Sequence, residues 1–179
     1  PIKESRIKAN EILFNKIISE PFKLRVPIDN LRLQVAEVIE AKDHPKAEKL
    51  IILKVNLKEQ TRQIIAGIKK YYKPEELLGK KIIVLSNLKW VKLRGEESQG
   101  MLLAASAPDK VSVLSSNAEV GTFLNAGGIL ANSQNEITIE DFAKYKIEAI
   151  NGKVYFEGEE LKAGDEGIKT DFPISGNVK

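Results

Sequence analysis

The sequence predicts a mainly β fold, a five-stranded barrel with a short helix before it and a smaller unit appended after it. Three observations carry this. Five β-rich segments between Leu31 and Ser106 are separated by polar or Gly/Pro punctuation. A single short helical signal interrupts them. The last third is less regular and opposite in charge.

The segment ESRIKANEILFNKI places Ile7, Leu13, Phe14 and Ile17 at helical spacing, and Glu20-Pro21 ends the pattern. Residues 1–28 are therefore expected to form a helix and linker. Leu31, Leu33 and Val35 then alternate, and the phase slips through Ala36 to Val38, which suggests a bulge or bend in a long strand. IILKVNL, RQIIAGI, KIIVLSNL and GMLLAAS supply four more strands. PEELLG, Pro74 to Gly79, reads as one helical turn, with proline first, acids in the first turn and glycine after the end. Five strands with a short helical insertion make an oligonucleotide-binding barrel the leading candidate over residues 29–130, although periodicity does not separate it from other small barrels. Beyond Gly128, residues 131–179 are expected to form the appended unit. Thr138 to Asp141 has capping-box spacing, and Asn151-Gly152 signals a hairpin.

The net charge of +3 conceals a partition: +2 over residues 1–30, +6 over 31–116 and −5 over 117–179. A basic middle favours a polyanionic partner. The longest apolar run, Met101 to Ala105, falls far short of the ~20 residues that span a bilayer, so no membrane partner is expected. The chain has no cysteine, which excludes disulfides and thiolate metal sites, and the cytoplasm is the expected location. His44 is the single histidine and precedes Pro45; with no second His or Cys to join it, a loop role held by turn hydrogen bonds outweighs a ligand role. The acidic pairs Glu75-Glu76, Glu96-Glu97 and Glu159-Glu160 are adjacent in sequence and would diverge on a strand. No catalytic constellation emerges, and neither a cofactor nor a metal is expected.

The densest chemistry lies in SNLKWVKLRGEESQGMLLAAS. Lys89, Lys92 and Arg94 suit phosphate. In an extended strand Lys92 and Arg94 would share a face. Asn87 and Ser98 could donate to phosphate, sugar or base, or serve turns. Trp90, the only tryptophan, could stack on a base or fill a core or interface. Lys49 could extend the basic surface.

These residues resemble a known family. The HP-x-A-x-x-L loop, the Y-x-P-E-E-L-x-G turn and the N-L-K…R-G-x-x-S-x-G-M run, in that order over residues 31–106, resemble the tRNA-binding domain appended to aminoacyl-tRNA synthetases. The tail extends the likeness to the endothelial monocyte-activating polypeptide II class, and LFNKI resembles the sequence before this domain in some methionyl-tRNA synthetases. The resemblance implies a non-catalytic module that binds tRNA without strong sequence preference and assists a synthetase catalytic domain, in cis or in trans. It places Lys49, Ser86, Asn87, Lys89, Lys92, Arg94, Ser98 and Met101 against RNA, with Trp90 where proline is usual. It further implies a monomer, in which residues 131–179 mimic a second subunit through a pseudo-dimer interface. The chain starts without Met, so a C-terminal piece of a longer synthetase is expected. A protein-interaction or cytokine-like module is the alternative. Gln34 and Ala36 in QVAEVIE replace the arginine and glycine of the cytokine-active relatives.

Overall fold

The structure, a computed structural model, describes residues 28–179, so the predicted N-terminal helix and LFNKI lie outside the described residues. A short 3-10 turn at Ile28–Asn30 leads into β1 (Leu33–Asp43), β2 (Ile51–Asn56) and β3 (Thr61–Ala66). The helical turn α1 (Pro74–Leu77) and β4 (Lys81–Leu85) follow. A small hairpin, β5 (Val91–Leu93) and β6 (Glu96–Ser98), precedes β7 (Met101–Leu102). Next come β8 (Ala104–Ala107), β9 (Lys110–Val113), β10 (Leu124–Ala126) and β11 (Ile129–Leu130). The remaining elements are α2 (Ile139–Phe142), β12 (Ile147–Ile150), β13 (Lys153–Phe156), β14 (Glu159–Ala163), β15 (Glu166–Gly167) and β16 (Gly176–Val178).

The barrel sheet runs β3-β2-β1-β4-β7. It is drawn closed where Gln99 N donates to Gln63 O at 2.8 Å and Ile65 N donates to Ser98 Oγ at 3.0 Å. Leu77 of α1 is fully buried in the barrel interior, and Gly79 N donates to Val38 O of β1. The five-stranded barrel and its helical insertion match the fold that the sequence predicts.

The phase slip in β1 has a different cause from the expected bulge. Ala36 and Val38 point into the barrel, while Leu33 and Val35 belong to a second core on the other side of the sheet. Both faces of the first half of β1 are buried, so both phases are apolar there. The irregularity in pairing lies later, between Val38 and Glu40. β4 follows the same logic: Ile82 and Val84 face the barrel, and Ile83 and Leu85 face the second core. Burial on both faces explains its continuous apolar run.

Residues beyond the barrel complete that second core. A nine-stranded sheet runs β11-β10-β14-β13-β12-β16-β8-β9, with β15 on β14. The predicted strand GMLLAAS is split at the fully buried Leu103, because β7 pairs in the barrel and β8 in this sheet. Across the expected boundary at 130/131, β10 and β11 pair with the tail through β14. Phe142, Ile147, Phe156, Leu161 and Val178 pack into one cluster with Leu33, Val35, Ile83, Leu85 and Leu103. The helix and hairpin signals of the tail are realised. Thr138 and Asp141 form a reciprocal capping box, and Asn151 and Gly152 both take positive φ between β12 and β13. At Gly176 a Cβ would collide with Ser106 O, so only glycine lets β16 approach β8 this closely.

Polar groups fasten the tail as well. Tyr72 Oη donates to Asp171 Oδ2 at 2.5 Å and accepts from Val113 N at 3.0 Å. Asp171 also pairs with Lys80, and its N–H donates to Ser112 Oγ at 2.7 Å. Burial, and then the hydrogen bond to Asp171, push the Tyr72 phenol up to about 12. The folded chain therefore favours the neutral phenol. That contribution to stability is complete below the ordinary value of 10 and is lost as pH rises towards 12. Denaturant titrations should show wild-type stability falling more steeply between pH 10 and 12 than that of Tyr72→Phe. Parallel profiles would show that the phenol does not carry this linkage.

Candidate nucleic-acid interface

The cationic stretch forms a self-paired hairpin standing on the barrel. Val91 pairs with Ser98, Lys92 with Glu97 and Leu93 with Glu96, which leaves Arg94-Gly95 as a two-residue loop. Arg94 has φ of 54° and Gly95 of 89°, the left-handed pair that a tight primed turn requires. Arg94 therefore sits at the hairpin tip. The expectation that it shares a strand face with Lys92 is corrected, since the chain reverses before Arg94 can continue the strand.

Three contacts hold the hairpin. His44 is buried, accepts from Lys46 N at Nδ1 (3.0 Å) and faces Leu93 O through Nε2 at 3.0 Å. Since Nδ1 is the acceptor, Nε2 carries the proton and donates to Leu93 O. His44 thus has the turn-holding role read from the sequence, and it also ties the β1–β2 loop, which carries Lys49, to β5. Gln63 Nε2 donates to Glu97 O at 2.9 Å and to Glu96 Oε2 at 3.2 Å. On the other side, Lys89 N donates to Ile137 O and Ile137 N to Asn87 O.

Lys49, Lys89, Trp90, Lys92 and Arg94 are exposed. Among the described residues none of these cations pairs with a carboxylate. The nearby acids are bound to amides instead, Glu96 to Gln63 and Glu97 to Gln99. Trp90 is 49% exposed, so it fills neither core.

Ser86, Asn87 and Ser98 are buried, and Ser86 and Asn87 also line a groove beside Trp90. Asn87 is buried; its Oδ1 accepts from Arg32 N at 2.9 Å, and its Nδ2 donates to Asn30 O at 2.9 Å and Asn135 O at 2.8 Å. Ser86 Oγ donates to Gln34 Oε1 at 3.0 Å, and Ser98 Oγ donates to Gly100 O while accepting from Ile65 N. Each of the three donates to another group of the protein, and together they shape the platform under the cations. Met101 is half-buried against the second core and lines a separate hollow with Phe142 and Lys146.

Sequence reasoning missed two arginines beside Trp90. Arg32, just before β1, stacks on Phe123 at 4.7 Å, and Arg62 of β3 lies 5.9 Å from the Trp90 ring centroid. They are thirty positions apart in the chain, and only the barrel pairing brings them to one surface. No local signal marks them.

Comparison with known proteins agrees with this geometry. Residues 33–122 match the family model described as "Putative tRNA binding domain". The chain is 56% identical over 90 residues to the methionine–tRNA ligase of Pyrococcus horikoshii, a match covering 50% of this chain and 12% of that ligase. It is 43% identical over 122 residues to the ligase of Clostridium perfringens, covering 66% of this chain and 18% of the ligase. The chain thus spans under a fifth of the length of these relatives. The crystal structure of the C-terminal domain of Plasmodium vivax p43 superposes with a TM-score of 0.76 at 25% identity, over 86% of this chain and 99% of that domain. That coverage exceeds the family match, so the likeness takes in much of the tail as well as the barrel. With half its length under the family model, and the barrel that the motifs imply, the chain belongs to the tRNA-binding domain family.

Proposed function

We propose that the chain is a non-catalytic module that captures tRNA for an aminoacyl-tRNA synthetase catalytic domain, in cis or in trans, and that a methionyl enzyme is the natural partner. The observation that carries this reading is the braced hairpin with Lys89, Lys92 and Arg94 exposed and free of carboxylate partners among the described residues. Cations supply most nucleic-acid affinity, and phosphate contacts carry no sequence preference. Tethering would raise the local tRNA concentration at the catalytic site. The tail covers the outer face of β1 and β4, and this supports a monomer. A single mass near that of one chain by light scattering is the expected result, and a stable dimer would contradict it.

Burial in β1 favours the tRNA-binding reading over the cytokine-like alternative, which calls on QVAEVIE as an exposed segment. Gln34, Val35, Ala36 and Val38 of QVAEVIE are buried in β1 between the two cores.

Anisotropy with labelled tRNA tests the main reading. With about four phosphate contacts, log K should fall with log salt at a slope of roughly −3. Arg94→Ala and Lys92→Ala should each weaken different tRNAs to the same degree and flatten the slope by about 1. Unchanged affinity and slope in both folded variants would make the hairpin ordinary surface.

A further inference from the structure

Beside the hairpin lies an open groove of about 370 Å³, lined by Arg32, Arg62, Trp90, Ser133 and Glu136 among others. Both guanidinium groups are fixed by carbonyl oxygens. Arg32 Nη1 donates to Asn132 O at 3.2 Å, and Arg62 Nη1 donates to Ser86 O and to Gln99 O at 3.2 Å. Neither pairs with a carboxylate among the described residues, Glu136 included. Arg62 Nε is buried with no hydrogen-bond partner among the described residues. Burial, and then the charge of Arg32, lower the pKa of Arg62, so the two cations feel each other. Two like charges that line one groove with no carboxylate partner among the described residues favour an anion between them. Arg62 also covers part of Trp90, while the ring stays half exposed.

We propose that this groove is a nucleotide subsite for unpaired RNA, with a phosphate held by Arg32 and Arg62 and the base stacked on the open part of Trp90. The proposal rests on the tRNA-binding reading and extends it: the hairpin grips backbone, and the groove selects strand that is not in a duplex. Aromatic stacking tolerates any base but needs one out of its helix.

The test uses the full chain, a labelled single-stranded hexauridylate and labelled tRNA. Trp90 is the only tryptophan, so indole emission reports on the groove alone. Saturable quenching by hexauridylate is expected. Trp90→Ala and Arg32→Gln should each weaken hexauridylate binding about tenfold by anisotropy with melting temperature retained, as loss of a stacked base or a phosphate contact implies. Lys92→Ala should weaken it by less than about threefold. Arg62 braces two carbonyls, so the exposed Trp90 and the more peripheral Arg32 carry the test. If tRNA binds but hexauridylate neither quenches Trp90 nor responds to Arg32→Gln, the groove proposal falls and the tRNA-binding reading stands. If hexauridylate behaves as expected and tRNA does not bind, the groove stands as a single-strand site and the tRNA reading falls.

Discussion

Removing residues 131–179 should abolish the monomeric fold. The cut strips away Phe142, Ile147, Phe156, Leu161 and Val178, and uncovers Leu33, Val35, Ile83, Leu85 and Leu103 on the outer barrel wall. Five large apolar side chains at roughly 1.5–3 kcal/mol each approach the whole stability of a typical domain, about 5–15 kcal/mol. The cut also removes the Asp171 contacts with Tyr72 and Lys80, and it leaves β10 without its partner β14. Light scattering on a sizing column should show self-association or aggregation of the fragment. A monomeric fragment that melts cooperatively near the temperature of the whole chain would show that the barrel stands alone. Adding the missing segment back in trans offers a control: if tail packing is the cause, added tail should reduce the aggregation.

The second large effect is expected at Asn87. Asn87→Ala would leave the Arg32 amide and the Asn30 and Asn135 carbonyls without their partner. Each unsatisfied buried group costs about 1–3 kcal/mol, and water can reach some of these, so a loss of about 3 kcal/mol is expected. For a chain of this size that lowers the melting temperature by roughly 6–12 °C. Measured well below the melt, tRNA affinity should change by less than about threefold, because the amide itself spends its bonds inside the protein. Undiminished stability with tenfold weaker binding would reverse the assignment and put Asn87 against RNA. The experiment separates two meanings of a motif residue, one that touches the ligand and one that holds the surface the ligand touches.

This distinction is where sequence reading ran out. Alternation, the Asn151-Gly152 hairpin, the Thr138–Asp141 capping box and the Pro74 helical turn are local signals, because each depends on neighbours a few positions away. The two phases of β1 were visible as a slip at Ala36, but its cause was a second core supplied by residues about a hundred positions downstream. Arg94 was legible as a cation and not as a turn, since the turn is set by Gly95 and the pairing of Leu93 with Glu96. For Asn87, Ser86 and Ser98, residue type alone cannot say which way a polar group faces; the long-range bonds to Arg32, Gln34 and Ile65 decide it. Arg32 and Arg62 were silent in sequence for the same reason.

Among the described residues the β5–β6 hairpin pairs in strand register only with itself, as a separate two-stranded sheet. Val91, Lys92, Leu93 and Arg94 all face solvent, so its outer half contributes to neither core. The hairpin is in effect a replaceable cartridge. Its exposed side chains can be rewritten by mutation or design while the backbone contacts of Leu93 to His44 and of Glu97 to Gln63 keep it seated, and the price of trying a new binding surface is not levied on the barrel below.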